Sequence, residues 1–148
     1  MKELHGTASV SVTASAQECF ELLIAVEDYP RWYPDTVNEV RVTERSSEDH
    51  PVRARAKLHI AYGPLVRDFD LSLAIGAQQP HEVTLTRVPH DADDPERFEV
   101  AWTIGHGTIT VALEASLSVP RLLPVGGIAD EMANGFAHAA ARALSRSR

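Results

Sequence analysis

Between residues 37 and 119 the chain runs through six segments in which apolar and polar residues alternate with period two, and this restricts the fold more than any other feature. The segments are 37–45, 52–62, 66–75, 82–88, 97–103 and 108–119. The joints between them are Gly63-Pro64, Gln79-Pro80, the acidic stretch 91–95 and Gly105-His106-Gly107, all turn chemistry. Joints this short make consecutive strands antiparallel neighbours. A seventh alternating stretch, 4–13, puts Leu4, Gly6, Ala8, Val10 and Val12 on one side. A single antiparallel sheet with one apolar face follows, and that face has to be covered.

The remaining segments supply the cover. Ser15-Ala16-Gln17-Glu18 has the form of a capping box, so a helix starts there and runs to about residue 26, burying Phe20, Leu23 and Ile24. Pro30 and Pro34 around Trp32 and Tyr33 leave room for one further helical turn and bring the aromatic rings into a compact corner. From residue 124 to about 145 the pattern becomes an alanine-rich helix with Ile128, Met132, Gly135, Phe136, Ala139 and Ala143 inward. Asp130, Glu131, Asn134, His138 and Arg142 face water. Glycine and alanine fill positions where a closed core would carry leucine, so a curved sheet and a slim helix leave space between them for an apolar ligand.

The simplest hairpin registers set Ile60 opposite Phe69, Leu58 opposite Leu71 and Ala56 opposite Leu73 in one hairpin. In the other, Trp102 faces Ile109, Val100 faces Val111 and Phe98 faces Leu113. In the same registers Arg67 lies opposite Tyr62 and Arg87 falls between Phe69 and Phe98, two inward arginines near one end of the sheet. There they either clamp the anionic headgroup of an amphipathic ligand or bridge to acidic residues such as Asp28 or Asp35. The expected ligand wall is Leu58, Ile60, Tyr62, Arg67, Phe69, Leu71, Leu73, Leu85, Arg87, Phe98, Val100, Trp102, Met132 and Phe136.

Composition narrows the partners. With 21 acidic against 14 basic residues the net charge is −7, which repels phosphate backbones and anionic lipid surfaces, so no nucleic acid is expected. Cys19 is the only cysteine, which excludes an internal disulfide and a thiolate metal cluster and suits a cytoplasmic setting. No two of the seven histidines stand at ligand spacing on one face, and the stretch 90–94 lacks the glycine and distal glutamate of a calcium loop. Neither a metal nor any other cofactor is expected. The opening Met1-Lys2-Glu3-Leu4-His5-Gly6 lacks the apolar run of a secretory signal, and no stretch is apolar enough to span a bilayer. Residues 1–148 are expected to form one domain.

The element order of strand, two short helices, six strands and a long helix resembles the helix-grip superfamily. Its members include START-related lipid-transfer domains, plant allergens and bacterial polyketide cyclase/dehydrase proteins. The wording of Ser11-Val12-Thr13-Ala14-Ser15-Ala16-Gln17-Glu18-Cys19-Phe20 and of Val26-Glu27-Asp28-Tyr29-Pro30-Arg31-Trp32-Tyr33-Pro34 is similar to the opening of the polyketide cyclase/dehydrase and coenzyme-Q-binding branch. The resemblance implies an α+β fold: a curved seven-stranded antiparallel sheet wrapped around a long C-terminal helix, with two short helices between the first and second strands. For aromatase/cyclases it also implies a polar interior in which arginine, serine and tyrosine orient a poly-keto chain. Here the strand 66–75 turns Phe69, Leu71, Leu73 and Ile75 inward and Ser72 outward. The expected function is therefore binding or transport of a hydrophobic small molecule of lipid, isoprenoid, quinone or polyketide type. The alternatives are a polyketide cyclase or dehydrase acting through Arg67, Arg87 and Tyr62, and a protein-interaction module like the ribosome-associated relatives.

Overall fold

The computed structural model describes residues 2–63, 65–118 and 127–146. Its elements follow the order read from the sequence. Strand β1 (Lys2–Ser11) is followed by α1 (Ala16–Ile24), a 3-10 turn (Val26–Asp28) and α2 (Tyr29–Trp32). Six strands come next: β2 (Val37–Arg45), β3 (Pro51–Tyr62), β4 (Leu65–Gln78), β5 (Glu82–Arg87), β6 (Arg97–Gly105) and β7 (Thr108–Leu117). The chain then forms α3 (Ile128–Arg146). The strands make one antiparallel sheet in the order β1-β7-β6-β5-β4-β3-β2. The expected extensions of β7 to residue 119 and of the last helix back to 124 lie outside the described residues.

Ser15 caps α1 as its sequence requires. Its Oγ accepts from the Glu18 amide at 3.1 Å, while Glu18 Oε1 accepts from the Ser15 amide at 3.0 Å. Each of these bonds satisfies an amide that the helix itself cannot reach.

Both hairpin registers differ by two residues from the expected ones. Tyr62 pairs with Leu65 and Gly105 with Thr108, so each turn holds only two residues. Leu58 therefore faces Phe69, Ala56 faces Leu71 and Ala54 faces Leu73. In the second hairpin Trp102 faces Val111, Val100 faces Leu113 and Phe98 faces Ala115. Two-residue turns with a positive-φ residue match the twist of the flanking strands, and Gly63 (φ 56°) and Gly107 (φ 69°) supply it. A shift of two keeps every side chain on its expected face. It does move the arginines: Arg67 lies opposite Ile60, not Tyr62, and Arg87 opposite Leu73.

The outer face is polar and carries cross-strand pairs such as Arg55–Asp70 at 2.9 Å and His59–Asp68 at 2.6 Å. Exposed pairs of this kind contribute little to stability.

On the inner face α3 rests mainly on β1 and β7. The contact is backbone to backbone: a Cβ built on Gly6 would land in the Ala129 carbonyl group. The Thr7 amide also donates to Asp130 Oδ1 at 3.2 Å, tying the free edge of β1 to the first turn of the helix. Ala129, Ala133, Ala137, Ala140 and Leu144 are buried in addition to the expected stripe, so α3 is covered over a wider arc than periodicity suggested. Gly135 is half-buried, and the Tyr33 hydroxyl occupies the space its side chain would fill, with Oη 2.6 Å from an added Cβ.

Gly6→Val should lower unfolding stability by about 3 kcal/mol, the upper part of the range for overpacking, because neither backbone can yield locally. The urea midpoint would read it. A midpoint unchanged from the parent would mean that helix and strand are not in contact at this position.

Candidate functional site: an apolar void beneath the last helix

Where α3 leaves β1 and β7 and passes over the middle of the sheet, the packing opens. A void of about 40 Å³ lies there, with Leu58, Leu73, Leu85 and Val100 as its floor and Met132 and Phe136 as its roof. Tyr29, Tyr33, Val37 and Val40 close its side. A second void of about 20 Å³ lies between Ile60, Leu65, Leu117 and Ile128. Phe98, Leu113 and Met132 line both and form the partition.

The aromatic corner sets the roof. Phe136 stacks on Tyr33 with centroids 5.0 Å apart and meets Trp102 edge-on at 5.0 Å and Tyr29 edge-on at 5.5 Å. Trp32 packs against the same ring at 5.5 Å and lines neither void, so it is a plug. Such ring pairs add roughly 0.5–1.5 kcal/mol each beyond their buried area and hold the corner rigid.

The polar residues lining the larger void are Tyr29, Tyr33 and the buried Thr36. Tyr29 Oη donates to the Leu23 carbonyl at 2.6 Å, and Tyr33 Oη lies 3.1 Å from Tyr62 Oη. Burial pushes both the Tyr29 and the Tyr33 phenols far above their ordinary range, so they stay protonated at any physiological pH. The thiol of Cys19 is buried, pushed up by desolvation, and packs in the core as a small apolar group.

The two arginines do reach the inner face at one end of the sheet, and both are paired. Arg67 grips Glu96 with two bonds of 2.9 and 3.0 Å and lies over the Phe69 ring, 4.4 Å from its centroid. Arg87 reaches Asp94 at 2.6 Å and the Glu96 carbonyl at 2.8 Å. The partners are thus Asp94 and Glu96 of the acidic β5–β6 connection, not Asp28 or Asp35. The connection is a docked strap: the His90 and Glu96 amides donate to Asp94, and the Ser118 amide donates to Glu96.

Of the expected wall, Leu58, Leu73, Leu85, Phe98, Val100, Met132 and Phe136 meet around the larger void and Ile60 lines the smaller. Phe69, Leu71 and Trp102 are buried on the same face but line neither, and Tyr62 serves as partner to Tyr33. Of the residues lining the larger void, sequence reasoning missed Val26, Tyr29, Tyr33, Thr36, Val37, Val40, Ala56 and Leu113. Strict alternation cannot place Val37 and Val40 on one face; a register irregularity between Val37 and Glu39 does so. Leu113 was legible from its place opposite β6. For Glu96 the signal was an inward arginine whose strand carries its acids, Asp68 and Asp70, on the opposite face.

Comparison with known proteins agrees with this architecture. Residues 12–145 match the family described as polyketide cyclase / dehydrase and lipid transport, and the chain belongs to that family. Among solved structures it is similar to a START superfamily protein from Mycobacterium smegmatis, with a TM-score of 0.71 at 16% identity over 97% of this chain and 99% of that one. It is also similar to a ginseng major latex-like protein from Panax ginseng, with a TM-score of 0.64 at 10% identity over 98% and 97% of the two chains. A third is the di-domain aromatase/cyclase StfQ of the steffimycin biosynthetic pathway, with a TM-score of 0.59 at 11% identity, 98% of this chain spanning 51% of that one. These likenesses show a shared START-type helix-grip fold. No curated protein matches the sequence.

Arg87, helped by the His90 and Glu96 amides, holds the Asp94 carboxyl well below the usual carboxylate range. Arg67, outweighing burial, lowers Glu96 as well. Both groups bind protons more weakly folded than unfolded. Their stabilisation is therefore complete above the unfolded carboxylate pKa of about 4 and is lost as pH falls through the depressed folded values. Arg87→Met should flatten the fall of the urea midpoint below about pH 4 relative to the parent. Parallel falls in the two proteins would show that the pair carries no linkage.

Proposed function

We propose that this protein binds a hydrophobic or amphipathic small molecule, of lipid, isoprenoid, quinone or polyketide type, between the sheet and α3. The observation that carries the reading is the apolar void beneath Met132 and Phe136, in a fold whose family includes lipid transport. Ligand pockets of this kind run to roughly 300–1,000 Å³, so uptake requires the partition to move. Met132 and Phe98 suit that role: one is unbranched with three rotatable bonds, and the other is only half-buried. Each buried methylene contributes about 0.8 kcal/mol, from which association and ordering subtract several, so a chain of about a dozen carbons reaches micromolar affinity.

Catalysis has less support. General acid-base chemistry needs a group that titrates near the working pH beside the reacting atom. The phenols at this void are held protonated, and both inward arginines are engaged by carboxylates. A protein-docking role has less still, since Val66 is the one large apolar side chain exposed among the described residues.

Ala56 lines the void and bears on it directly. Ala56→Leu should fill it and weaken uptake of the neutral dye N-phenyl-1-naphthylamine about tenfold or more, while far-ultraviolet circular dichroism stays that of the parent. Undiminished uptake in a folded variant would move the binding site elsewhere. Incubation of the parent protein with a poly-keto thioester, followed by mass analysis, should return it unaltered; loss of water would establish the cyclase or dehydrase reading instead.

A further inference from the structure

We infer that Arg67 is the headgroup subsite of this binder and that Glu96 is its resident occupant, a carboxylate of the protein's own that a ligand carboxylate displaces. The inference rests on the small-molecule binding proposed above and names the ligand class: a single-chain amphipath ending in a carboxylate.

The geometry at Arg67 is that of carboxylate recognition. Both guanidinium NH2 groups meet the two oxygens of one planar group at 2.9 and 3.0 Å, and the Phe69 ring beneath fixes the plane of the fork. The two arginine pairs differ in access. The Arg87, Asp94 and Glu96 side chains are 15%, 13% and 15% exposed, whereas Arg67 is 34% exposed. Arg87 holds the strap in place; Arg67 can be reached from solvent.

Position links this subsite to the void. Arg67 pairs across the sheet with Ile60, which lines the smaller cavity, and both point inward. Glu96 stands two residues ahead of Phe98, one of the three residues that form the partition between the two internal voids. The β5–β6 ladder ends at Thr86 and Glu99, so no β5 partner holds Phe98. Displacing the Glu96 carboxylate removes a side-chain tie at the start of β6 while the β7 ladder and the Arg87 bond to the Glu96 carbonyl stay in place. The half-buried Phe98 ring can then turn out of the partition and join the two voids. Glu96 thus favours the closed state, and only a ligand bearing its own carboxylate compensates Arg67 for losing it.

The experiment compares dodecanoate with dodecanol, two probes of equal chain length, by titration calorimetry on the parent, Glu96→Gln and Arg67→Met. Glu96→Gln should raise the ratio of dodecanoate to dodecanol affinity about tenfold, the scale of one charge-assisted contact, and Arg67→Met should abolish the preference. In the unmodified protein, saturating dodecanoate should shift the Ser118 amide resonance and speed its hydrogen exchange, because that amide donates to Glu96 at 2.8 Å; dodecanol should not. If both probes bind with a ratio that Glu96→Gln does not raise, or if Ser118 is unmoved by dodecanoate, the displacement is wrong while the binding reading stands. If neither probe binds, both are wrong.

Discussion

The contact on which the rest of this molecule depends is the meeting of two backbones where α3 crosses β1. Gly6 carries no side chain, and Ala129 fits against it so closely that no substituent could be inserted. Small residues along one flank of the helix, Ala133, Ala137 and Ala140, continue the close approach. A helix pulled that near one edge of a seven-stranded sheet cannot also fill the space above the middle strands. That space is left to the longer side chains of the other flank, Met132 and Phe136, and to the aromatic corner of α2. Close packing on β1 and loose packing over β3 to β6 are therefore two results of one placement.

Much of this was legible in the sequence because it follows from period and turn chemistry. Seven alternating stretches, a capping box at Ser15 and Glu18, and an alanine-rich final helix leave few architectures open. What alternation cannot convey is where a hairpin turns. Both hairpins close through two residues, and the sliding of each register by two went unseen because it leaves every face unchanged. The irregularity in β2 that brings Val37 and Val40 to one side is equally silent in composition. So is the role of Gly135, whose missing side chain makes room for the Tyr33 ring. The arginines were readable as inward charges, but their partners lay in a connection whose sequence shows only that it is acidic.

Those partners explain how charge is accommodated on an otherwise apolar face. An unpaired guanidinium there would suffer a desolvation penalty of several kcal/mol, and the strap offsets it with two carboxylates and a backbone carbonyl. The carboxylates are themselves satisfied by amides of His90, Glu96 and Ser118, so the network leaves few lone pairs idle. Its place at the rim lets it order the open end of the sheet while the interior stays free of ions.

That separation bears on what such a frame can do. The fold hosts binders and enzymes alike, and family membership alone does not choose between them. The choice lies in where titratable groups stand relative to the space a ligand would occupy. Here the charged groups lie at one end and the phenols at the side, protonated and engaged with a carbonyl or with one another. The walls of the larger void are hydrocarbon apart from Tyr29, Tyr33 and Thr36 at its side. General acid-base chemistry needs a group that titrates near the working pH beside the reacting atom, and burial holds both of these phenols protonated.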